Sequence, residues 1–304
     1  MKRRIFLQKM AAGSLMIGTG ALPLQAAVNP EVIKLTILHT NDVHSRIDPF
    51  PMDGGRNQGL GGASRRASLI KKIRAQEEHV LLLDSGDIFQ GTPYFNLFGG
   101  ELEFKLMSAM QYDAATIGNH DFDAGLEGLH KQLPHANFSF ISSNYDFSDT
   151  LMADKVKPYQ IFKKGPIKIG VFGLGIELKG LVPESLYGNT RYLDPIERAN
   201  HYASLLKNDE KCDFVICLSH LGYRYREEKV SDTVLAENSR NIDLILGGHT
   251  HTFLNEPTII KNLGGTATYI NQVGWAGIML GRLEVYFERN KKGTCLSCKN
   301  LLVG

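Results

Sequence analysis

Five short polar clusters carry the residue types that bind cations and move protons: Asn41-Asp42-Val43-His44, Gly86-Asp87, Gly118-Asn119-His120-Asp121, Ser219-His220 and Gly247-Gly248-His249-Thr250-His251. They hold five of the chain's ten histidines, together with Asp42, Asp87 and Asn119. A lone loop histidine is more often a hydrogen-bonded surface residue than a ligand, but five beside carboxylates are poorly explained that way. Asp42 and His44 are two apart, so an extended chain projects both to one side, as two ligands of one cation require. His249 and His251 repeat that spacing. Asn119 and His120 are adjacent and point to opposite sides, so one can ligate while the other faces a substrate. Carboxylate, amide oxygen and imidazole suit Zn, Mn, Fe or Ni, and no cysteine falls in these clusters. The donors outnumber the places on one tetrahedral ion. Two ions sharing a carboxylate, about 3.5–4 Å apart, would accommodate them.

Strands must position these clusters, because apolar, β-branched runs precede them. The pattern predicts strands over Val32–His39, His79–Leu83, Ala114–Ile117, Phe138–Ile141, Ile167–Leu174, Asp213–Leu218 and Ile242–Leu246. Helical spacing predicts helices over Ser64–Glu78, Glu101–Met110, Ala124–Leu133, Pro195–Asn208 and Ser231–Ser239. Closing strands are expected at Thr258–Ile260, Thr266–Val273 and Leu280–Glu288. The class is α/β with a strand-rich last third, and no repeat or linker divides the body. Open α/β sheets bind ligands at the carboxyl edge of their strands, where the five clusters fall.

The order Asp-x-His, Gly-Asp, Gly-Asn-His-Asp, His, Gly-His-x-His resembles the calcineurin-type metallophosphatases. The longer strings Ile37-Leu38-His39-Thr40-Asn41-Asp42, Asp84-Ser85-Gly86-Asp87-Ile88-Phe89-Gln90-Gly91-Thr92-Pro93, Gly118-Asn119-His120-Asp121-Phe122-Asp123 and Ser219-His220-Leu221-Gly222 are similar to the 5′-nucleotidase branch. The similarity runs from about Leu35 to about Glu288. It implies a four-layer α/β/β/α sandwich with two divalent cations at the edge of the inner sheets. It implies that Asp42, His44, Asp87 and His251 hold the first cation. Asp87, Asn119, His220 and His249 would hold the second, with Asp87 bridging. His120 would be the catalytic histidine, oriented by Asp123. The implied reaction is attack of an acidified water on phosphorus, in line with the leaving group. A second enzymatic reading is hydrolysis of cyclic nucleotides, nucleotide sugars or a thiosulfate-type ester, and the reading from a different class is a non-catalytic metal-binding subunit. The substrate expected is a small phosphorylated molecule, a nucleotide before others. Secreted members of this branch continue into a second domain whose aromatic residues sandwich the base. That domain is expected to be absent from this chain, leaving an open site with broad activity and high KM. A separate chain resembling that domain is the expected partner.

Composition sets the remaining bounds. The chain has 304 residues, 43% hydrophobic and 22% charged, which excludes disordered, collagen-like and coiled-coil classes. Met1–Ala26 carries Lys2, Arg3, Arg4 and Lys9 without an acid, then a mildly apolar Gly/Ala-rich stretch. Arg3-Arg4 followed by Phe6-Leu7 reads as a twin-arginine signal and predicts a periplasmic or secreted protein. The body from residue 27 to residue 304 is expected to be one domain. Without the four leader positives, the net charge of +2 becomes −2, which disfavours a nucleic-acid polymer as partner. Cys212 and Cys217, five apart on a strand, should face opposite sides and not pair. Cys295-x-x-Cys298 reads as a local disulfide or two idle thiols. Gly54–Gly62 lacks the Gly-Lys-Ser/Thr of a phosphate loop and reads as a flexible connection into the next helix.

Overall fold

The computed structural model describes residues 32–288 and 294–304. The leader predicted over Met1–Ala26 lies outside them. In chain order the strands are β1 (Val32–Thr40), β2 (Val80–Asp84), β3 (Ala114–Ala115), β4 (Ser139–Phe140), β5 (Tyr145–Asp146), β6 (Tyr159–Lys164), β7 (Ile167–Gly175), β8 (Arg191–Tyr192), β9 (Phe214–His220), β10 (Leu244–Leu246), β11 (Thr258–Lys261), β12 (Ala267–Asn271), β13 (Met279–Glu288), β14 (Thr294–Cys298) and β15 (Leu301–Leu302). One sheet runs β14-β13-β1-β2-β3-β4, with β15 also paired to β13. The other runs β11-β12-β10-β9-β7-β6. The centres of both sheets are parallel: β1 with β2, β2 with β3, β7 with β9 and β9 with β10. Antiparallel β13 flanks β1 in the first sheet, while β6 and β11 close the edges of the second.

Alternation along the strands builds the layers. Leu35, Ile37, Leu81 and Leu83 of the first sheet pack against Ile169, Val171, Ile216, Leu218 and Leu244 of the second. Their neighbours Leu38 and Leu82 face the other way, onto Ile70 and Ile73 of the helix Ala63–Gln76 and Phe104 and Met107 of the helix Glu101–Ala109. Val215, Cys217 and Ile245 likewise meet Ala199 and Ala203 of the helix Pro195–Ser204 and Leu235 of the helix Asp232–Glu237. The result is helix, sheet, sheet, helix, as the resemblance implies. Each fully buried aliphatic side chain in these layers contributes about 1.5–3 kcal/mol.

Some details differ from the sequence reading. The strands expected over Ala114–Ile117 and Phe138–Ile141 shorten to β3 and β4. A short helix, Pro93–Phe98, and the strands β6 and β14 carry too little periodicity to be predicted. Cys212 precedes β9, so strand alternation does not govern it; it shares one outer core with Cys217, and both are free thiols. Cys298 is also a free thiol, pushed up to about 12 by burial. The side chain of Cys295 lies outside the described part. Among the described residues, no helix is long and apolar enough to cross a membrane.

Candidate metal centre

The loops after β1, β2, β3 and β10 and the last residue of β9 meet at one end of the sandwich. Beyond Thr40 the chain runs beside the loop after β2. Asp42 N donates to Gly86 O at 2.9 Å, His44 N to Asp87 O at 3.1 Å and Ser45 N to Ile88 O at 2.9 Å. Asp42, His44, Asp87, His249 and His251 all have positive φ, from 51° to 69°. Asp42 and His44 therefore meet through left-handed turns and not through the extended-chain alternation expected from their spacing, whereas His249 and His251, at the same spacing, part to different groups. Left-handed backbone costs a residue with a Cβ about 1–2 kcal/mol. Gly118 lets the third loop come close, since a Cβ there would overlap Asp87 Oδ1 and the Asp87 nitrogen.

The seven predicted ligands form two adjoining groups. In the first, His44 Nε2 lies 3.0 Å from His251 Nε2, and His251 Nε2 lies 3.4 Å from Asp42 Oδ1. In the second, His220 Nε2 lies 3.1 Å from Asp87 Oδ2, and His249 Nδ1 lies 2.8 Å from Asn119 Oδ1. Within each of the trios Asp42, His44, His251 and Asp87, His220, His249, the ligand atoms are within 4.8 Å of one another. Asp87 spans the two, because its Oδ2 is also 3.8 Å from His44 Nε2.

The donor set fits divalent cations. His44 Nδ1 faces Phe89 O at 3.2 Å and His220 Nδ1 faces Ser85 O at 2.7 Å. A carbonyl only accepts, so each Nδ1 carries a hydrogen and each Nε2 is the atom turned to the site; burial works to lower His220, but the Asp87 carboxylate outweighs it and takes that ring up to about 10. His220 Nε2 is buried and has no hydrogen-bond partner of proper geometry. Burial holds the His44 imidazole below its usual pKa, against the pull of Asp87 and Asp42. Burial, followed by the His220 charge, takes His249 down to about 4, so both are neutral donors at neutral pH. Burial works to raise Asp87, but the charge and hydrogen bond of His220 outweigh it and hold that carboxyl well below the usual range.

His120 stands beside the two groups. Its backbone nitrogen donates to Asp87 Oδ1 at 2.8 Å, and its Nδ1 meets Asp123 Oδ2 at 2.8 Å. Its ring centroid is 5.3 Å from that of His44. The Asp123 hydrogen bond is the largest cause of a pKa above the usual value, outweighing burial, with Asp87 adding to it. Asn119 and His120 thus diverge as their adjacency predicts, one toward His249 and the other toward Asp123.

Residues 35–253 match the model of the calcineurin-like phosphoesterases. The chain belongs to this family. A 5′-nucleotidase of Vibrio cholerae is 36% identical over 318 residues, covering 96% of this chain and 56% of the relative. A snake venom 5′-nucleotidase of Crotalus adamanteus is 35% identical over 276 residues, covering 84% of this chain and 45% of the relative. A crystal structure of a 5′-nucleotidase precursor from Thermus thermophilus superposes with a TM-score of 0.81 at 31% identity, over 89% of this chain and 55% of that one. The chain spans about half the length of these relatives.

Two further residues of this calcineurin-like phosphoesterase shape its site without having been singled out from sequence. Asp121 accepts from the backbone nitrogens of Asp87 (3.0 Å), Ile88 (2.8 Å), Phe89 (3.2 Å) and Gly118 (2.8 Å). Asn41 donates to Asp42 Oδ2 at 2.6 Å and to Gly274 O at 2.5 Å, and accepts from Val273 N at 3.0 Å. Both stand inside the quoted motifs, so their position was visible, but their partners at residues 87–89 and 273–274 are remote in the chain.

Proposed function

We propose that this chain is a binuclear metal-dependent phosphoesterase that hydrolyses nucleotides or related phosphomonoesters outside the cytoplasm. The observation that carries it is Asp87, whose carboxylate adjoins both ligand groups, with the Asp123-paired His120 beside it. Asp42, His44, Asp87 and His251 would hold one cation, and Asp87, Asn119, His220 and His249 the other. The cations, when bound, supply Lewis acidity that activates a water and offsets phosphoryl charge. His120 presents Nε2 to the substrate while Asp123 fixes its tautomer, and its raised pKa favours the protonated form that stabilises a leaving oxygen. The names of the 5′-nucleotidase relatives support the nucleotide class, and the Arg3-Arg4 leader supports export to the periplasm. The body from residue 27 to residue 304 serves as the catalytic domain, and a second-domain-like chain is a proposed partner. The test is phosphate release from AMP by the purified chain. Chelation should abolish it, and Mn, Co or Zn should restore it. Full turnover in excess chelator, after verified metal removal, would exclude the binuclear reading.

A further inference from the structure

Arg66 and Glu103 take no part in the proposed reaction, yet both are buried, 3% and 4% exposed. Arg66 stands on the helix Ala63–Gln76 and Glu103 on the helix Glu101–Ala109. Neither carboxyl oxygen of Glu103 has a hydrogen-bond partner, and neither do Nε and Nη1 of Arg66. The two side chains line one cavity of about 10 Å³, with Asp84 and Tyr112 as its other polar walls and apolar side chains around the rest. Buried charge without a partner is strongly unfavourable, so two donors and two acceptors around one small space call for a group that bridges them. The volume suits about one water molecule, which needs roughly two to four polar partners. A water can accept from both N–H groups of Arg66 and donate to the carboxyl of Glu103.

From Arg66 a directed chain of hydrogen bonds runs toward the ligand groups. Burial lifts the Tyr112 hydroxyl above its usual pKa, and the charge and hydrogen bond of Arg66 pull against that rise. Tyr112 Oη lies 2.8 Å from Thr40 Oγ1, and Thr40 Oγ1 donates to Asp84 Oδ2 at 2.5 Å. The Thr40 hydrogen is spent on the carboxylate, so the Tyr112 hydroxyl donates to Thr40 and its oxygen accepts from Arg66. Thr40 and Asp84 are register partners at the ends of β1 and β2. Asp84 Oδ1 accepts from Gly86 N at 2.9 Å, and Gly86 O accepts from Asp42 N at 2.9 Å. The guanidinium also lies against Gly277, where a Cβ would overlap Nη1. The preceding residue, Ala276, donates its nitrogen to Asp42 O at 2.7 Å.

We infer that this cavity holds one ordered water joining Arg66 to Glu103, and that the network it completes makes Arg66 a positioning residue for the loops of Asp42 and Asp87. The positioning role rests on the proposed cation binding; the water does not. A crystal structure of the purified chain should show a single water within hydrogen-bond distance of both side chains. A direct Arg66–Glu103 ion pair, or no water between them, would overturn its placement. Arg66→Met leaves Glu103 buried without its cation, and adding Glu103→Met removes both charges. The double variant should therefore melt above Arg66→Met. Losses that simply add would show that the two residues are not joined. Below the melting range of every variant, calorimetric titration should show Arg66→Met binding Mn about tenfold more weakly than wild type, as for other groups that hold ligands from behind. Unchanged affinity would reduce Arg66 to a stabilising residue and overturn the positioning role. Failure of the cation reading is distinct: the wild-type chain then binds no Mn and the positioning role falls with it, while the crystal structure and the melting comparison decide the water on their own.

Discussion

His120 and Asp121 are neighbours with opposite duties. His120 turns its imidazole out to Asp123 and the open side of the site, whereas Asp121 is buried and spends both oxygens on four backbone nitrogens. His120→Asn should therefore retain cation binding and lose about 10²–10⁴ in kcat, the range for a positioned acid or charge stabiliser. Steady-state kinetics beside metal analysis checks this, and unchanged turnover would return His120 to a structural role. Asp121→Asn should do the reverse of sparing the cations. An amide offers one acceptor oxygen, so donors of the Asp87 loop are orphaned at about 1–3 kcal/mol each. That loop holds Asp87 at a φ of 55°, a conformation that relaxes once its anchor is weakened. Calorimetric titration with Mn should show weaker binding in Asp121→Asn and wild-type affinity in His120→Asn. Equal affinities in all three proteins would remove Asp121 from the support of the site.

At the scale of elements, the parallel strands deliver their carboxyl ends to one place, and the loops beyond them carry the chemistry. Those loops are short and tightly opposed, so glycine is required where one passes over another. Gly118 is the sharpest case, because any Cβ there occupies the space of the Asp87 carboxylate and backbone. Gly118→Ala should abolish binding at both cation positions while leaving the far-UV circular dichroism of the sandwich near wild type. The clash is confined to the loop after β3, and the strands behind it keep their buried faces: Leu82, Ala115 and Ile117 are fully buried by the outer helices. Two cations per chain in Gly118→Ala would show that the loop can shift aside without cost. Backbone bonds from 42, 44 and 45 to 86, 87 and 88 couple the first two loops, so damage to one is transmitted to the other.

At the scale of the whole molecule, closing the sandwich creates the site. His44, Asp42, Asp87 and Asn119 follow strands of one sheet, and His220, His249 and His251 belong to the other. Neither sheet alone carries a full ligand group, because each trio draws on both. A metal site that needs the closed fold would also give the proposed twin-arginine leader a purpose, since that route moves proteins already folded. Changing Arg3→Lys together with Arg4→Lys keeps the charge and removes the paired guanidinium groups. It should block export in a cell fractionation assay, and normal periplasmic arrival would point to the general secretory route.

The α/β class, the main strands and helices and every candidate ligand were legible in the chain, because a buried parallel strand is an apolar run and its carboxyl end is marked by polar and glycine residues. Local rules reached that far and no further. The spacing of Asp42 and His44 predicted convergence for an extended backbone, yet both residues are left-handed, a state imposed by the loop 86–88 beside them. Cys212 and Cys217 were placed on opposite faces by an alternation that begins only at Phe214. The grip of Asp121 on residues 87–89, and the stack of Trp275 on His251, join segments that no short-range pattern connects. Composition and periodicity record what each residue is and how its own segment folds. Which segments meet is decided when the two sheets pack, since the contact free energy belongs to pairs that are distant along the chain and become neighbours only in the closed sandwich.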